Sequence, residues 1–371
     1  MLKNIVTLVL GCFLAICVLE IGFRVYNPFG FRLKGSTIVL PHDVAYRIDN
    51  DKNDKLDKVI YHSKNSLGFR GEELANENSF KVLTVGGSTT ECFYVSDGKT
   101  WPDLLGASLK MRFKNIWFNN AGLDGMSTIG HIKLLEQVVN RIKPNIIIFL
   151  VGINDVSVSS VGNKYDNAVI SQMQGVIERA SSYLEVVNVL LNLCRYYQAD
   201  RMGLVTRPIY HGNALKDAYA TEMVPESELN KKREDIKAVI DNNLMEYSAR
   251  IEKIIAVCRS MNCMPVFLTQ PSLLGCVGDP RCGGNIGYAL RYGVPNLLVA
   301  EELEAYNEAL KKVSEKNDVL SVDMANMLDM DARFYYDAVH YTNEGCEAFT
   351  LALSPAIVKL ISKVRPDLEI R

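Results

Sequence analysis

The sequence predicts an α/β fold: a parallel sheet fed by alternating strands and helices, with a membrane-spanning helix before it and a helical insertion within it. Three observations carry that reading. Short apolar, β-rich runs at 81–85, 116–119, 145–151, 264–268 and 319–322 each end in turn or loop residues. Stretches with helical signals separate most of them. Ahead of all of them, residues 5–19 form an uncharged run of fifteen residues, IVTLVLGCFLAICVL.

That run follows Lys3 and is itself followed by Glu20 and Arg24. It is short for a spanning helix, but reaches about twenty residues if Glu20 sits at the interface. No small-x-small cleavage site follows, so residues 1–26 read as an uncleaved anchor rather than a removed signal peptide. Lys3 against Arg24, Arg32 and Lys34 leaves the positive-inside count undecided. The domain beyond is expected on the extracytoplasmic side. Residues 27–80 are polar and aperiodic, carrying NPFG and DKNDKLDK, and read as leader and linker. Within them Asn65-Ser66-Leu67-Gly68-Phe69-Arg70-Gly71 reads as a compact turn.

The α/β domain is expected over 81–365. Its first strand contains Val82, Leu83 and Val85 and breaks at Gly86-Gly87, with Ser88 immediately after. Thr100 caps a helix that has Pro102 in its first turn. A second strand leads into Asn120-Ala121-Gly122-Leu123-Asp124-Gly125, and a helix near 130–141 follows. Pro144 introduces the strongest strand, NIIIFLV, which ends in Gly152-Ile153-Asn154-Asp155. Residues 156–260 then interrupt the alternation with two long helical stretches, roughly 166–200 and 226–260, and could form a lid or side wall. In the second, ESELNKKRED reads as a solvated face. The sheet resumes at 264–268 and ends in Thr269-Gln270-Pro271, where Gln270 fits a structural role better than a pocket lining. A helix near 299–316, a strand at 319–322, Asp337-Ala338-Val339-His340 and a final helix capped near Thr342 or Asn343 complete the chain.

Composition narrows the function. A net charge of −2 and a pI near 6.3 lack the basic footprint of a nucleic-acid binder. The nine cysteines show no CxxC pair and no Cys/His grouping at zinc spacing, and the five histidines are scattered, so no metal or cofactor site is expected. Only Cys276 and Cys282 lie close enough for a local disulfide; a bond and two free thiols both remain open.

Acyl transfer at neutral pH needs a nucleophile, a base, a group that fixes the tautomer of the base, and donors for the oxyanion. Ser88, His340 and Asp337 can fill the first three roles. Asp337 lies three residues before His340, where its carboxylate could reach Nδ1 and leave Nε2 facing the serine. The backbone N–H of Ser88, a glycine N–H from 122–125 and the Asn154 amide can serve the oxyanion. Each piece alone has a plainer reading: a helix-capping serine, a capping Asp with a surface histidine, an Asx turn. Their occurrence in one order, each where a strand ends or just before the last helix, singles them out.

The set GGST (86–89), NAGLDG (120–125), GIND (152–155) and DAVH (337–340) resembles the four blocks of the SGNH/GDSL hydrolase family. The first block has GG where the family name has GD, and keeps the serine. The resemblance implies a flavodoxin-like three-layer sandwich. It also implies Ser88 as nucleophile with Asp337 and His340, and an oxyanion hole of Ser88, Gly125 and Asn154, Gly122 being the alternative glycine. The leader NSLGFRG and TWPDLL resemble membrane-anchored bacterial members. The expected function is a membrane-anchored esterase acting on an O-acyl ester of a carbohydrate, a lipid or a small alcohol, with activity rising as pH passes about 6–7. The same residues would serve an O-acetyltransferase acting on a surface or exported polysaccharide. A non-catalytic glycan-binding subunit is the third reading.

Overall fold

The structure, a computed structural model, describes residues 2–26, 33–35, 37–51, 53–74, 78–156, 176–201, 224–291 and 294–370. In chain order the first elements are α1 (Leu2–Val25), β1 (Val44–Asp49), β2 (Val59–Lys64), β3 (Arg70–Gly71), β4 (Phe80–Gly86) and α2 (Ser88–Glu91). Then come α3 (Trp101–Arg112), β5 (Ile116–Asn120), α4 (Thr128–Leu134), β6 (Ile146–Leu150), α5 (Val176–Tyr183) and α6 (Glu185–Arg201). The last are α7 (Glu226–Ser260), β7 (Met264–Leu268), α8 (Asn296–Lys316), β8 (Ser321–Val322) and α9 (Asn343–Val364).

The chain forms two compact units. Met1–Pro41 and Tyr165–Arg207 make the first, which holds α1, a two-stranded hairpin at 33–38, α5 and α6. His42–Lys164 and Pro208–Arg371 make the second.

The second unit is built on a six-stranded sheet in the order β8-β7-β6-β4-β5-β3. All neighbours pair parallel except β3, which lies antiparallel on β5 with Arg70 opposite Asn120. Taking β4 as the first parallel strand, the order reads 2-1-3-4-5, the doubly wound flavodoxin arrangement. The central strands β4, β5 and β6 are buried throughout, as strands covered on both faces must be. One face sends Val82, Ile146, Ile148, Val266 and Leu268 into a core with Leu105, Leu109, Phe349 and Leu353 of α3 and α9. The alternate positions include Phe149, stacked on Phe267 at 5.2 Å. Helices α4, α7 and α8 pack together as the other layer, with Tyr247 against Tyr306 at 4.7 Å, both fully buried.

Helix starts follow their local chemistry. Thr100 accepts the Asp103 N–H at the start of α3, Ser127 accepts that of Ile129 before α4, and Thr342 accepts that of Gly345 before α9. Cys276 and Cys282 are joined by a disulfide.

Two segments differ from the sequence reading. The stretch expected to be leader and linker contains the β1–β2 hairpin and the edge strand β3. The buried positions of these strands include His62, Lys64 and Arg70, so no apolar alternation marks them in the sequence. And α7 is not wholly an insertion: its carboxyl half buries Tyr247, Ile251, Ile254, Ile255 and Cys258 and acts as the crossover helix into β7. Its charged amino half pairs Arg233 with Glu301 at 2.7 Å on an exposed face.

Candidate active site

The order of the sheet reverses at β4 and β6, and open α/β sheets place ligands outside the carboxyl ends of such strands. Ser88 follows β4 there, at the first position of the short helix α2. The two glycines before it, Gly86 and Gly87, fix its approach. Leu123 N–H donates to Gly86 O at 3.0 Å, which ties the 120–125 loop to the end of β4. A Cβ on Gly87 would lie 2.1 Å from Asn154 Nδ2, so the glycine lets that amide come close beside Ser88.

His340 Nε2 lies 2.8 Å from Ser88 Oγ, and His340 Nδ1 lies 2.6 Å from Asp337 Oδ2. With the proton on Nδ1 donated to the carboxylate, Nε2 is the acceptor facing the serine hydroxyl. The other carboxylate oxygen, Oδ1, accepts the backbone N–H groups of Val339 and His340, both at 2.8 Å. Burial pushes the Asp337 carboxyl up. The imidazole and the three hydrogen bonds outweigh it and bring the group down to about 2, so it stays ionised at neutral pH. The turn is held from behind by the bridge between Tyr335 and Tyr341, both buried, and by Leu273 N–H on Ala338 O at 2.8 Å. The Tyr336 ring stacks nearly parallel to the imidazole, 5.5 Å away and inclined by 9°.

Of the two glycines in the 120–125 loop, Gly122 already donates its N–H to Asn120 Oδ1 at 2.8 Å. Gly125 has φ +71 with open space where a side chain would project. Asn154 donates from Nδ2 to Met126 O at 3.1 Å, and Nδ2 carries a second proton. Next to it, the buried Asp155 accepts the Thr128 N–H, the Thr128 hydroxyl at 2.5 Å and the Arg250 guanidinium at 3.4 Å. Burial raises its pKa against those partners.

Several residues around the site carried little or no sequence signal. The buried Arg70 donates to Glu91 O, Cys92 O and Val95 O at 2.7–2.9 Å and to Asp97 at 2.6 Å, and so clamps the end of α2. Lys64 Nζ is 2.7 Å from Glu91 Oε1, while Glu91 Oε2 accepts the Asp124 N–H at 2.7 Å, one residue before Gly125. Gln270 accepts the Thr89 hydroxyl at 3.0 Å and donates to the Tyr341 hydroxyl at 3.0 Å, joining the neighbour of Ser88 to the neighbour of His340. Arg70 lies in the NSLGFRG turn; Lys64 and Glu91 sit in no motif. Among the described residues, no cluster of His, Cys, Asp and Glu could hold a metal ion.

Comparison with known proteins gives the chain its relatives. It is similar in structure to an alpha/beta hydrolase enzyme from the metagenome of Lake Arreo, Spain (14% identity, 77% of this chain and 97% of that chain, TM-score 0.42). It is similar to an acetylxylan esterase from Geobacillus stearothermophilus (14% identity, 77% and 96% covered, TM-score 0.42). A GDSL-like lipase from Bacteroides thetaiotaomicron is also similar (11% identity, 78% and 93% covered, TM-score 0.41). No curated protein matches the chain. The model of the GDSL-like lipase/acylhydrolase family matches residues 84–348, and the chain belongs to that family.

Proposed function

We propose that this family member is a membrane-anchored serine esterase that cleaves O-acyl esters through Ser88, His340 and Asp337. The single observation that carries the reading is the line of hydrogen bonds from Asp337 through His340 to Ser88 Oγ at the switch point of the sheet. His340 Nε2 takes the serine proton as Oγ attacks the ester carbonyl, and the ionised Asp337 stabilises the imidazolium that forms. The N–H groups of Ser88 and Gly125 and the Asn154 amide receive the oxyanion. Collapse of the tetrahedral intermediate breaks the bond to the alcohol, which leaves with the proton from His340. Water, activated by the same imidazole, then releases the acid from Ser88.

Anchoring is supported by α1. Its 23-residue stretch Lys3–Val25 contains an 18-residue window with mean hydropathy 2.5, none of which is buried. At about 1.5 Å per residue a helix of this length exceeds the roughly 30 Å of a bilayer core. We place the α/β unit outside the cytoplasm.

Ser88→Ala tests the reading. Turnover of a short-chain p-nitrophenyl ester and labelling by a fluorophosphonate should both vanish; near wild-type turnover removes Ser88 from the mechanism. Repeating the assay with a polysaccharide acceptor shows whether the acyl group passes to water, as proposed, or to sugar. Extraction of membranes with carbonate tests the anchor, which predicts that the chain stays in the pellet.

A further inference from the structure

Helix α6 of the amino-terminal unit turns apolar side chains both inward and outward. Its inward face carries Asn188, Asn192 and Arg195, which are 4, 7 and 5% exposed, together with the buried Val189 and Leu191. Asn192 Nδ2 donates to Leu33 O and to Asn188 O, both at 2.9 Å, and Arg195 donates to Gly35 O at 3.3 Å. Among the described residues, its outward face carries Leu190, Leu193, Cys194 and Tyr197, with Leu190 at 59% and Tyr197 at 60% exposure. These positions recur at i, i+3, i+4 and i+7, one stripe of a helix. A helix bathed in water turns its apolar stripe inward and its amides outward. This one buries two amides and a guanidinium beside its inward apolar residues and leaves a second apolar stripe outside.

Its seating says what the outward stripe meets. The Glu20 carboxylate near the end of α1 accepts the N–H groups of Glu185 and Val186 at 3.0 and 2.9 Å, the first residues of α6. Arg24 of α1 donates to Tyr183 O at 2.6 Å, just before α6 begins. The start of α6 is thereby fixed at the level where the apolar helix α1 ends. Val176, Ile177, Tyr183 and Leu184, in α5 and the joint between the helices, are exposed as well. Tyrosines at such positions suit the headgroup level, where one end of the ring is apolar and the other wet.

We infer that the outward stripe of α6 is a lipid-contact surface, which seats the amino-terminal unit against the acyl chains of the bilayer beside α1. The inference rests on the membrane-anchor reading of α1. The occupant is lipid rather than a second copy of the chain, because the stripe is hydrogen-bonded through its own helix to a segment of membrane-spanning length.

The test uses the full chain in neutral phosphatidylcholine vesicles. Cys194 is the exposed thiol of α6, and the free cysteines of the α/β unit are buried. A Cys12→Ser/Cys17→Ser protein labelled with an environment-sensitive dye at Cys194 should show blue-shifted emission. Spin-labelled lipids should quench the dye at a depth of about 5–10 Å below the headgroups, and aqueous iodide should not reach it. A dye quenched by iodide and untouched by spin-labelled lipid overturns the inference. So does a dye shielded from both, since protein then covers the stripe. A second protein, Cys17→Ser/Cys194→Ser labelled at Cys12 within α1, separates the two readings. Lipid quenching at Cys12 without quenching at Cys194 sinks the lipid-contact surface and leaves the anchor standing. Absence of lipid quenching at both sinks the anchor, and the inference with it.

Discussion

Replacing Lys64 by methionine removes one member of an ion pair that lies out of water. The two side chains are 1% and 4% exposed and 2.7 Å apart. Methionine keeps most of the stem and its packing, so the change isolates the loss of charge. It leaves the Glu91 carboxylate buried with the Asp124 N–H and no facing ammonium. Breaking a buried pair from one side costs about 3–5 kcal/mol, because the remaining charge keeps its desolvation penalty. At about 2–4 °C per kcal/mol for a domain of this class, the expected fall in Tm is roughly 6–20 °C. The double variant Lys64→Met/Glu91→Gln removes both charges, and an uncharged pair of similar shape should come within about 1 kcal/mol of wild type. His62 adds a signature that depends on pH. Its Nε2 is 4.0 Å from Glu91 Oε1, and burial together with Arg70 holds its pKa down at about 3. Lys64 is one of the charges that hold His62 down, so without it the His62 pKa should rise and the deficit should shrink as pH falls below about 6.5. The two tryptophans, Trp101 and Trp117, are both buried in the α/β unit and report its thermal unfolding by fluorescence. A loss under about 1 kcal/mol in Lys64→Met, or a double variant no more stable than the single, would refute the reasoning.

Further outcomes follow from the site. Asn154→Ala should lower kcat by about 10²–10³ with little change in Tm, as removal of one oxyanion donor does; an unchanged kcat in steady-state ester hydrolysis would take the amide out of the hole. Asp337→Asn turns an N–H toward His340 Nδ1 and favours the tautomer protonated on Nε2. A loss of about 10⁴ in kcat with folding intact is expected from stopped-flow burst measurements, and a loss under tenfold would leave the carboxylate without its role. Acid should destabilise the fold through His131, which burial holds at about 4 against an ordinary 6.5. The neutral native imidazole costs nothing above pH 6.5. Between 6.5 and 4 the unfolded chain takes up a proton that the native state does not, so stability drops by about 3 kcal/mol over that window. Urea midpoints across the window should flatten in His131→Leu by the slope of one proton, and an unchanged slope would contradict the assignment.

Much of this molecule is written along the chain in local terms. The strands of 81–85, 116–119 and 145–151 announce themselves because residues covered on both faces are mostly apolar. The helix starts at Thr100 and Thr342 show because a cap bonds to a neighbour three residues away. The Ser88, Asn154 and Asp337–His340 segments stand out because each combines turn chemistry with a reactive side chain. Tertiary structure alone decided the rest. Lys64 and Glu91 meet across a fold that turns a hairpin strand back over α2, and nothing local marks either as buried. Gln270 joins Thr89 to Tyr341 over separations of 181 and 71 residues. The Gly122 N–H is taken by Asn120 Oδ1, an occupancy that exists only in the fold. The outward apolar stripe of α6 is invisible to periodicity, which counts apolar positions but does not say which of them turn away from the protein. Periodicity and capping act over a few residues, so one stretch of sequence holds them whole. Charge pairing, bridging amides and the direction of a face depend on distances that exist only once the chain has folded.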